Sequence, residues 1–204
     1  MHPLRTLHTC LPRLCIGNQA GGVNLRILVI GADLVGLSCA QVLHDQGHEV
    51  TMIDSRAEIG HPQELPGFHT GEVDLSQYAP QIQLTETGCR RPWLEKSMAQ
   101  KLPINYILRT DPSTVVGEFD LKIDSETYHS NTQWFGGVTL QGREPQTEII
   151  AHRADGTVEC WTKGPLPEVE GGWLERFDGT FDQEFASVDA SILCGIQLAS
   201  EQKA

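Results

Sequence analysis

The stretch Arg26-Ile27-Leu28-Val29-Ile30-Gly31-Ala32-Asp33-Leu34-Val35-Gly36-Leu37-Ser38 constrains this chain more than any other. An apolar run rich in β-branched residues stops at one glycine, and a second glycine opens a segment of helical spacing. Gly31 and Gly36 stand at the first and third positions of the pattern G-x-G-x-x-G. In that pattern the first glycine makes the tight turn out of a strand. The second lets backbone approach a pyrophosphate, and the third lets helix and strand pack closely. Asp33 stands at the second position. Its carboxylate brings negative charge to a helix N-terminus that would otherwise favour phosphate. Repulsion between close like charges costs on the order of 1 kcal/mol or more, so the pattern predicts weakened dinucleotide binding. The candidate binding residues of this turn are Gly31, Ala32, Asp33, Leu34, Val35 and Gly36.

The rest of the unit follows in order. Leu37, Ala40, Val42 and Leu43 supply an apolar helix face, and Gln46-Gly47-His48 ends it with Gly47 as the cap. Glu49 to Asp54 reads as a second strand, and its terminal acid lies 23 residues after Gly31. That matches the spacing of about 20 to the carboxylate that holds a ribose hydroxyl. Asp54, Ser55 and Arg56 are therefore further candidates. Arg56 hints at a 2′-phosphate partner, which leaves FAD and NAD(P) both open. Strand, turn, helix, strand and acid in sequence predict an α/β chain with a Rossmann-like unit. The competing reading, because of Asp33, is an α/β unit that binds nothing.

From Arg26 to Gly71 the chain resembles the N-terminal flavin-binding segment of FAD-dependent oxidoreductases, especially the geranylgeranyl-reductase and aromatic-hydroxylase-like group. Ile59-Gly60-His61-Pro62 is similar to that group's loop beside the flavin. Pro66-Gly67-Phe68 stands where many such reductases carry a cysteine-containing turn, without the cysteine. Cys89 to Ala99 resembles the group's arginine-led helix, whose arginine lies near the FAD phosphates or flavin edge. Arg90 and Arg91 are the matching residues, and Arg90 is preferred because Leu94 follows it by four. Asp189 to Ile196 resembles the group's D-x-V-I-x-A-D-G strand, with Ile196 and Gln197 where its acid and glycine would fall. The resemblance implies FAD as cofactor, NAD(P)H as electron donor and an apolar or isoprenoid substrate. It also implies a β-rich antiparallel insertion in the FAD/NAD(P)-binding domain. Members of the group continue with a second glycine-aspartate motif and a substrate domain. An alternative is therefore a non-catalytic truncated paralogue, or one half of a split flavoenzyme completed by a partner chain.

Charge narrows the partners. With 15 basic and 27 acidic residues the net charge is −12, and the acids all follow residue 32. Nucleic-acid binding depends on neutralised phosphates, and no basic stripe is present, so nucleic acid is rejected as a partner. The longest apolar run is far shorter than the roughly 20 residues that span a bilayer, although peripheral membrane association stays open. Six cysteines show no C-x-x-C spacing and suit a reduced cytoplasmic compartment. Cys89, before two arginines, has two readings: an activated thiolate or an ordinary buried thiol. Eight scattered histidines form no metal set. Residues 1–25 combine two prolines with a Gly-rich stretch and read as a disordered extension.

The domain itself is expected over 26–200, its β-rich part over about 104–185, with a tail at 201–204. Trp93 to Lys101 reads as a helix stopped by Pro103, and Ile104 to Leu108 as a strand. Thr114 to Val116, Phe119 to Ile123, Trp134 to Leu140 and Glu148 to Arg153 read as further strands. Ala154-Asp155-Gly156-Thr157 is an Asp-Gly hairpin turn into Val158 to Trp161. Two short strands are expected around Trp173-Leu174 and Thr180-Phe181. Trp134, Trp161 and Trp173 belong either to a core or to an apolar pocket. Nothing in this pattern assigns an acid–base residue.

Overall fold

A computed structural model describes residues 23–125 and 132–202. The expected extension at 1–25 falls outside the described residues apart from its last three positions. Two four-stranded sheets organise the described residues. The first is parallel, in the order β3-β2-β1-β4, from β1 (Arg26–Ile30), β2 (Glu49–Ile53), β3 (Asn105–Ile107) and β4 (Leu121–Asp124). The second is antiparallel, in the order β6-β7-β5-β8, from β5 (Gln133–Leu140), β6 (Ile149–His152), β7 (Thr157–Thr162) and β8 (Glu175–Thr180). The fold is thus a Rossmann-like α/β layer joined to an antiparallel sheet. The Asp-Gly turn connects β6 to β7 as expected, with Gly156 at φ 81°.

Helix α1 (Leu34–Asp45) is buried around nearly its whole circumference in the first two turns, from Leu34 through Ala40. The sequence predicts one apolar face; the structure covers two. The parallel sheet takes one, and helix α3 (Val188–Glu201) packs on the other. Small residues make that crossing close. A Cβ at Gly195 would overlap the Ser38 Oγ and the Val35 carbonyl oxygen. α1 closes as predicted at Gly47, whose N–H donates to the His44 carbonyl while His48 N–H reaches the Leu43 carbonyl.

The strand expected at Asp189 to Ile196 is instead this helix. Ser187 caps it by accepting from Ala190 N–H at 3.0 Å. Val188, Ile192 and Ala199 then fall on one buried face at helical spacing. The short apolar run S-I-L-C-G-I looks like a strand only while its partner helix is unseen. Three smaller corrections follow from pairing. Trp173-Leu174 precedes and Thr180 ends one strand, β8, because β5 pairs with it continuously from Gln133 to Val138. Thr114 to Val116 is a short 3-10 turn at Pro112–Thr114 followed by a fully exposed Val116. Helix α2 (Arg91–Lys101) begins two residues before Trp93, with Pro92 in its first turn.

The tryptophans belong chiefly to the core. Trp134 stacks on Phe181 at 4.8 Å, and Trp161 meets the same ring edge-on at 5.4 Å. Trp173 lies over Gly137 and donates its indole N–H to the Pro167 carbonyl.

The long irregular segment between β2 and α2 is held by two buried carboxylates from distant elements. Asp189 accepts the N–H groups of Thr70 at 2.7 Å and Val73 at 2.8 Å. Glu159 accepts from Gly67 N–H, from Gln63 Nε2 and from the Trp161 indole N–H, and is paired with Arg153. Removing one member of such a buried network leaves the others desolvated and unpaired. Glu159→Leu is therefore expected to destabilise the fold by about 3–5 kcal/mol in urea unfolding. A loss under about 1 kcal/mol would show that the network is not structural.

Candidate functional site

The carboxyl end of β1 and the amino end of α1 form the turn that the sequence singles out. Gly31 turns the chain at φ 94° and donates its N–H to the Ile53 carbonyl at 2.8 Å. Gly36 sits so close to it that a Cβ at position 36 would overlap the Gly31 carbonyl oxygen. This is the third-glycine role in physical form. Leu34 and Val35 occupy the first turn of α1, where amide N–H groups have no intrahelical acceptor.

Asp33 is the N-cap of that helix. Its Oδ1 accepts the Gly36 N–H at 2.9 Å, and the residue is 5% exposed. The carboxylate therefore sits on one of the amides that a phosphate at this helix end would engage. The sequence identifies the charge at position 33; only the structure reveals that it caps the helix.

Asp54 lies at the end of β2, facing the same turn. Its Oδ2 accepts the Ala32 N–H at 2.7 Å, so strand end and glycine turn are tied together. Arg56 folds back onto it, with Nε 3.0 Å from Oδ1 and Nη2 2.6 Å from Oδ2. Burial works to raise the Asp54 carboxyl, but the hydrogen bonds and charge of Arg56 and the Ala32 amide outweigh it. Asp54 is held below the usual carboxylate range. Ser55 is exposed at the rim.

These residues line a cleft of about 350 Å³. One side is the β1–α1 turn with Asp54, Ser55 and Arg56; another is the start of α2, through Arg91, Pro92 and Glu95. Loop residues 62–65 and the end of β8, Asp178 to Thr180, complete it. The cleft is polar and carries more carboxylates than guanidinium groups.

The structure separates the two candidate arginines. Arg90 turns out of the cleft to pair with Asp155 at 2.5 Å and to lie 5.2 Å over the Trp93 ring. Arg91 turns in, 1% exposed, bonded to Glu95 at 3.0 Å and to Ser191 Oγ at 3.1 Å. The structure separates them further by helix register: Arg91 and Glu95 are an i, i+4 pair inside α2, whereas Glu86, four before Arg90, lies ahead of it. Burial pushes the Glu95 carboxyl up, opposed by Arg91 and reinforced by the nearby Asp33. The contribution of β8 had no sequence signal, because its approach depends on how the two sheets are placed.

Cys89 is the ordinary buried thiol, fully enclosed and pushed up to about 12 by burial and by Glu159 against the opposing arginines. Among the described residues, no group of three or more His, Cys, Asp or Glu side chains is arranged to hold a metal ion. No helix there is long and apolar enough to cross a membrane.

Residues 26–66 match the family model described as pyridine nucleotide-disulphide oxidoreductase. The glycine turn and the carboxylate at the end of β2 lie inside that match. The chain shares its fold with solved oxidoreductases. Glycine oxidase from Bacillus cereus superposes with a TM-score of 0.55 over 88% of this chain and 96% of that one, at 9% identity. A flavoprotein/dehydrogenase from Cytophaga hutchinsonii does so with a TM-score of 0.53 over 87% and 77%, at 10% identity. Zeta-carotene desaturase from Arabidopsis thaliana is 54% identical over 39 residues, which are 19% of this chain and 7% of that protein. The chain spans 56 to 58% of three other solved structures to which it is similar.

The Asp54–Arg56 pair generates a pH prediction. A depressed folded carboxyl contributes stability above its unfolded value, near 4, and loses it as pH falls through the folded value. Arg56→Gln is expected to cost about 2 kcal/mol near neutral pH. In urea unfolding, the gap between wild type and variant should narrow as the pH falls below the ordinary carboxylate value of about 4. A gap that stays constant with pH would mean the pair does not set the Asp54 titration.

Proposed function

We propose that this chain is the cofactor-binding part of an FAD-dependent oxidoreductase and that the cleft holds the adenosine diphosphate half of the flavin nucleotide. The approach of Gly36 to Gly31 carries this reading, because a Cβ at Gly36 would break the packing that presents the first turn of α1 to a ligand. The cleft volume of about 350 Å³ lies within the usual range of ligand sites. In this assignment Gly31, Ala32, Leu34, Val35 and Gly36 present backbone to the diphosphate. Asp54 faces the ribose with Ser55 at the rim, and Arg56 fixes the Asp54 carboxylate. Arg91 supplies cationic charge inside the cleft; Arg90, the sequence-preferred residue, braces α2 against the β6–β7 turn. FAD, when bound, supplies the two-electron chemistry, and the chain supplies binding and orientation.

The substrate we assign is apolar and isoprenoid-like, with NAD(P)H as electron donor. The desaturase similarity supports the nucleotide turn, which is the part it covers. The free cysteines Cys39, Cys89, Cys160 and Cys194 fit a reducing compartment, and we assign the protein to the cytoplasm. A second reading has its own observation. Asp33 occupies the Gly36 amide and Arg56 the Asp54 carboxylate, as in a domain that keeps the fold without the cofactor or relies on a partner chain to complete it.

The visible spectrum of the purified protein after incubation with FAD separates the two. Flavin absorbance that stays with the protein through gel filtration is the expected result. Folded, colourless protein at saturating FAD would favour the second reading.

A further inference from the structure

We infer that a diphosphate entering this cleft breaks the Arg91–Glu95 pair, drawing on the Arg91 charge while Glu95 takes up one proton from solvent. The inference deepens the proposed function and rests on it. Arg91 and Glu95 stand one turn apart on α2, both line the cleft, and they are 1% and 4% exposed. Arg91 is held from three directions. Its Nε donates to Glu95 Oε1 at 3.0 Å, Nη1 to the Pro66 carbonyl at 3.3 Å and Nη2 to Ser191 Oγ at 3.1 Å. The last two anchors are neutral and keep the guanidinium in place when Glu95 lets go. Glu95 is the carboxylate that cancels its charge. While the pair is intact, α2 brings a diphosphate no net cation. An ionised Glu95 also faces the ligand in a buried setting, where Coulomb repulsion is less screened than in water. A proton on Glu95 frees the Arg91 charge and removes the repulsion together. The O–H on Glu95 is the only covalent bond formed.

The bonds made by the other buried carboxylates of the cleft set Glu95 apart. Asp33 accepts the Gly36 N–H. Asp54 accepts the N–H groups of Ala32 and Arg56 and is gripped by the Arg56 guanidinium. Hydrogen bonds from amides and from a guanidinium fork favour the ionised form. Glu95 accepts its bond from Arg91 Nε, part of the very cation that a diphosphate attracts, and no backbone N–H among the described residues donates to it. Burial pushes the Glu95 carboxyl up; Arg91 opposes this, Asp33 reinforces it and Arg56 opposes it. A bound diphosphate draws on both opposing guanidiniums and adds negative charge, so it pushes the same way as burial. Cys89 feels Glu95, but its thiol is pushed up to about 12 and adds no charge near neutral pH. Lys96, the next residue on α2, is paired with the exposed Glu58. His61, in the loop between two residues that line the cleft, is exposed, as are Glu64 and Asp178 on its other walls.

The test reads protons and affinity together. Calorimetric titration of the wild type with FAD near neutral pH, in two buffers of different ionisation enthalpy, should count about one proton taken up per FAD bound. The FAD diphosphate is a diester and keeps its charge in that range. By quenching of flavin fluorescence, the wild-type dissociation constant should rise about tenfold per unit between roughly pH 6 and 8. Glu95→Gln keeps an acceptor for the Arg91 Nε–H without the charge. It should vary less than about threefold across the range and bind at least about tenfold tighter near pH 8. A wild type that binds FAD with no proton uptake overturns the inference and leaves the proposed function standing, whether or not the variant folds. Uptake that persists in Glu95→Gln also overturns it, since another group, such as His61, then carries the proton. Failure of the wild type to bind FAD at any pH removes the proposed function and this inference with it.

Discussion

The close approach of the β1 carboxyl end to the α1 amino end is the constraint on which the rest of the structure depends. Gly36 leaves no room for a side chain between helix and turn, and Gly31 takes a backbone angle that favours glycine. Once that contact is made, α1 lies flat against the parallel sheet and its opposite side is free to receive α3. Gly195 and Ser38 repeat the principle at the second crossing, where small residues again set the distance. The first turn of α1 is thereby pinned on two sides. Gly31 and Asp33 beside it line the cleft, and the turn has little freedom to move away.

The walls of that cleft are set by buried polar groups rather than by regular structure. The connection from β2 to α2 is long and mostly irregular, so its amides need acceptors from elsewhere. Asp189 reaches it from α3 and Glu159 from β7. Arg91 adds the Pro66 carbonyl and Ser191 from a third direction. The antiparallel sheet and two helices thus converge on one loop, which then carries the Gln63 to Leu65 side of the site. The stability of the fold and the shape of the candidate site are one problem here, because the same side chains serve both.

The parts legible in the sequence were those encoded by local pattern. The βαβ unit, its glycines, its cap at Gly47 and the carboxylate at Asp54 all follow from spacing within a short window. The Asp-Gly turn before β7 follows from turn chemistry. What the sequence misled on were features decided by distant partners. Asp189 to Ile196 is apolar enough to pass for a strand, and its helical period matters only once α1 supplies a surface. Arg90 and Arg91 are adjacent, and their opposite orientations depend on Asp155 on one side and on Glu95 and Ser191 on the other. Asp33 was recognisable as an intruder in a glycine pattern. Its bond to the Gly36 amide depends on the turn made at Gly31.

The central claim is that the first turn of α1 is a phosphate-binding end. Amide chemical shifts of labelled protein during titration with FAD test it most directly. The account predicts that the largest changes fall at Leu34, Val35 and Gly36, with smaller ones at Ser55 and Arg56. Changes confined to the antiparallel sheet, or no change at Gly36 when FAD is bound, would contradict it.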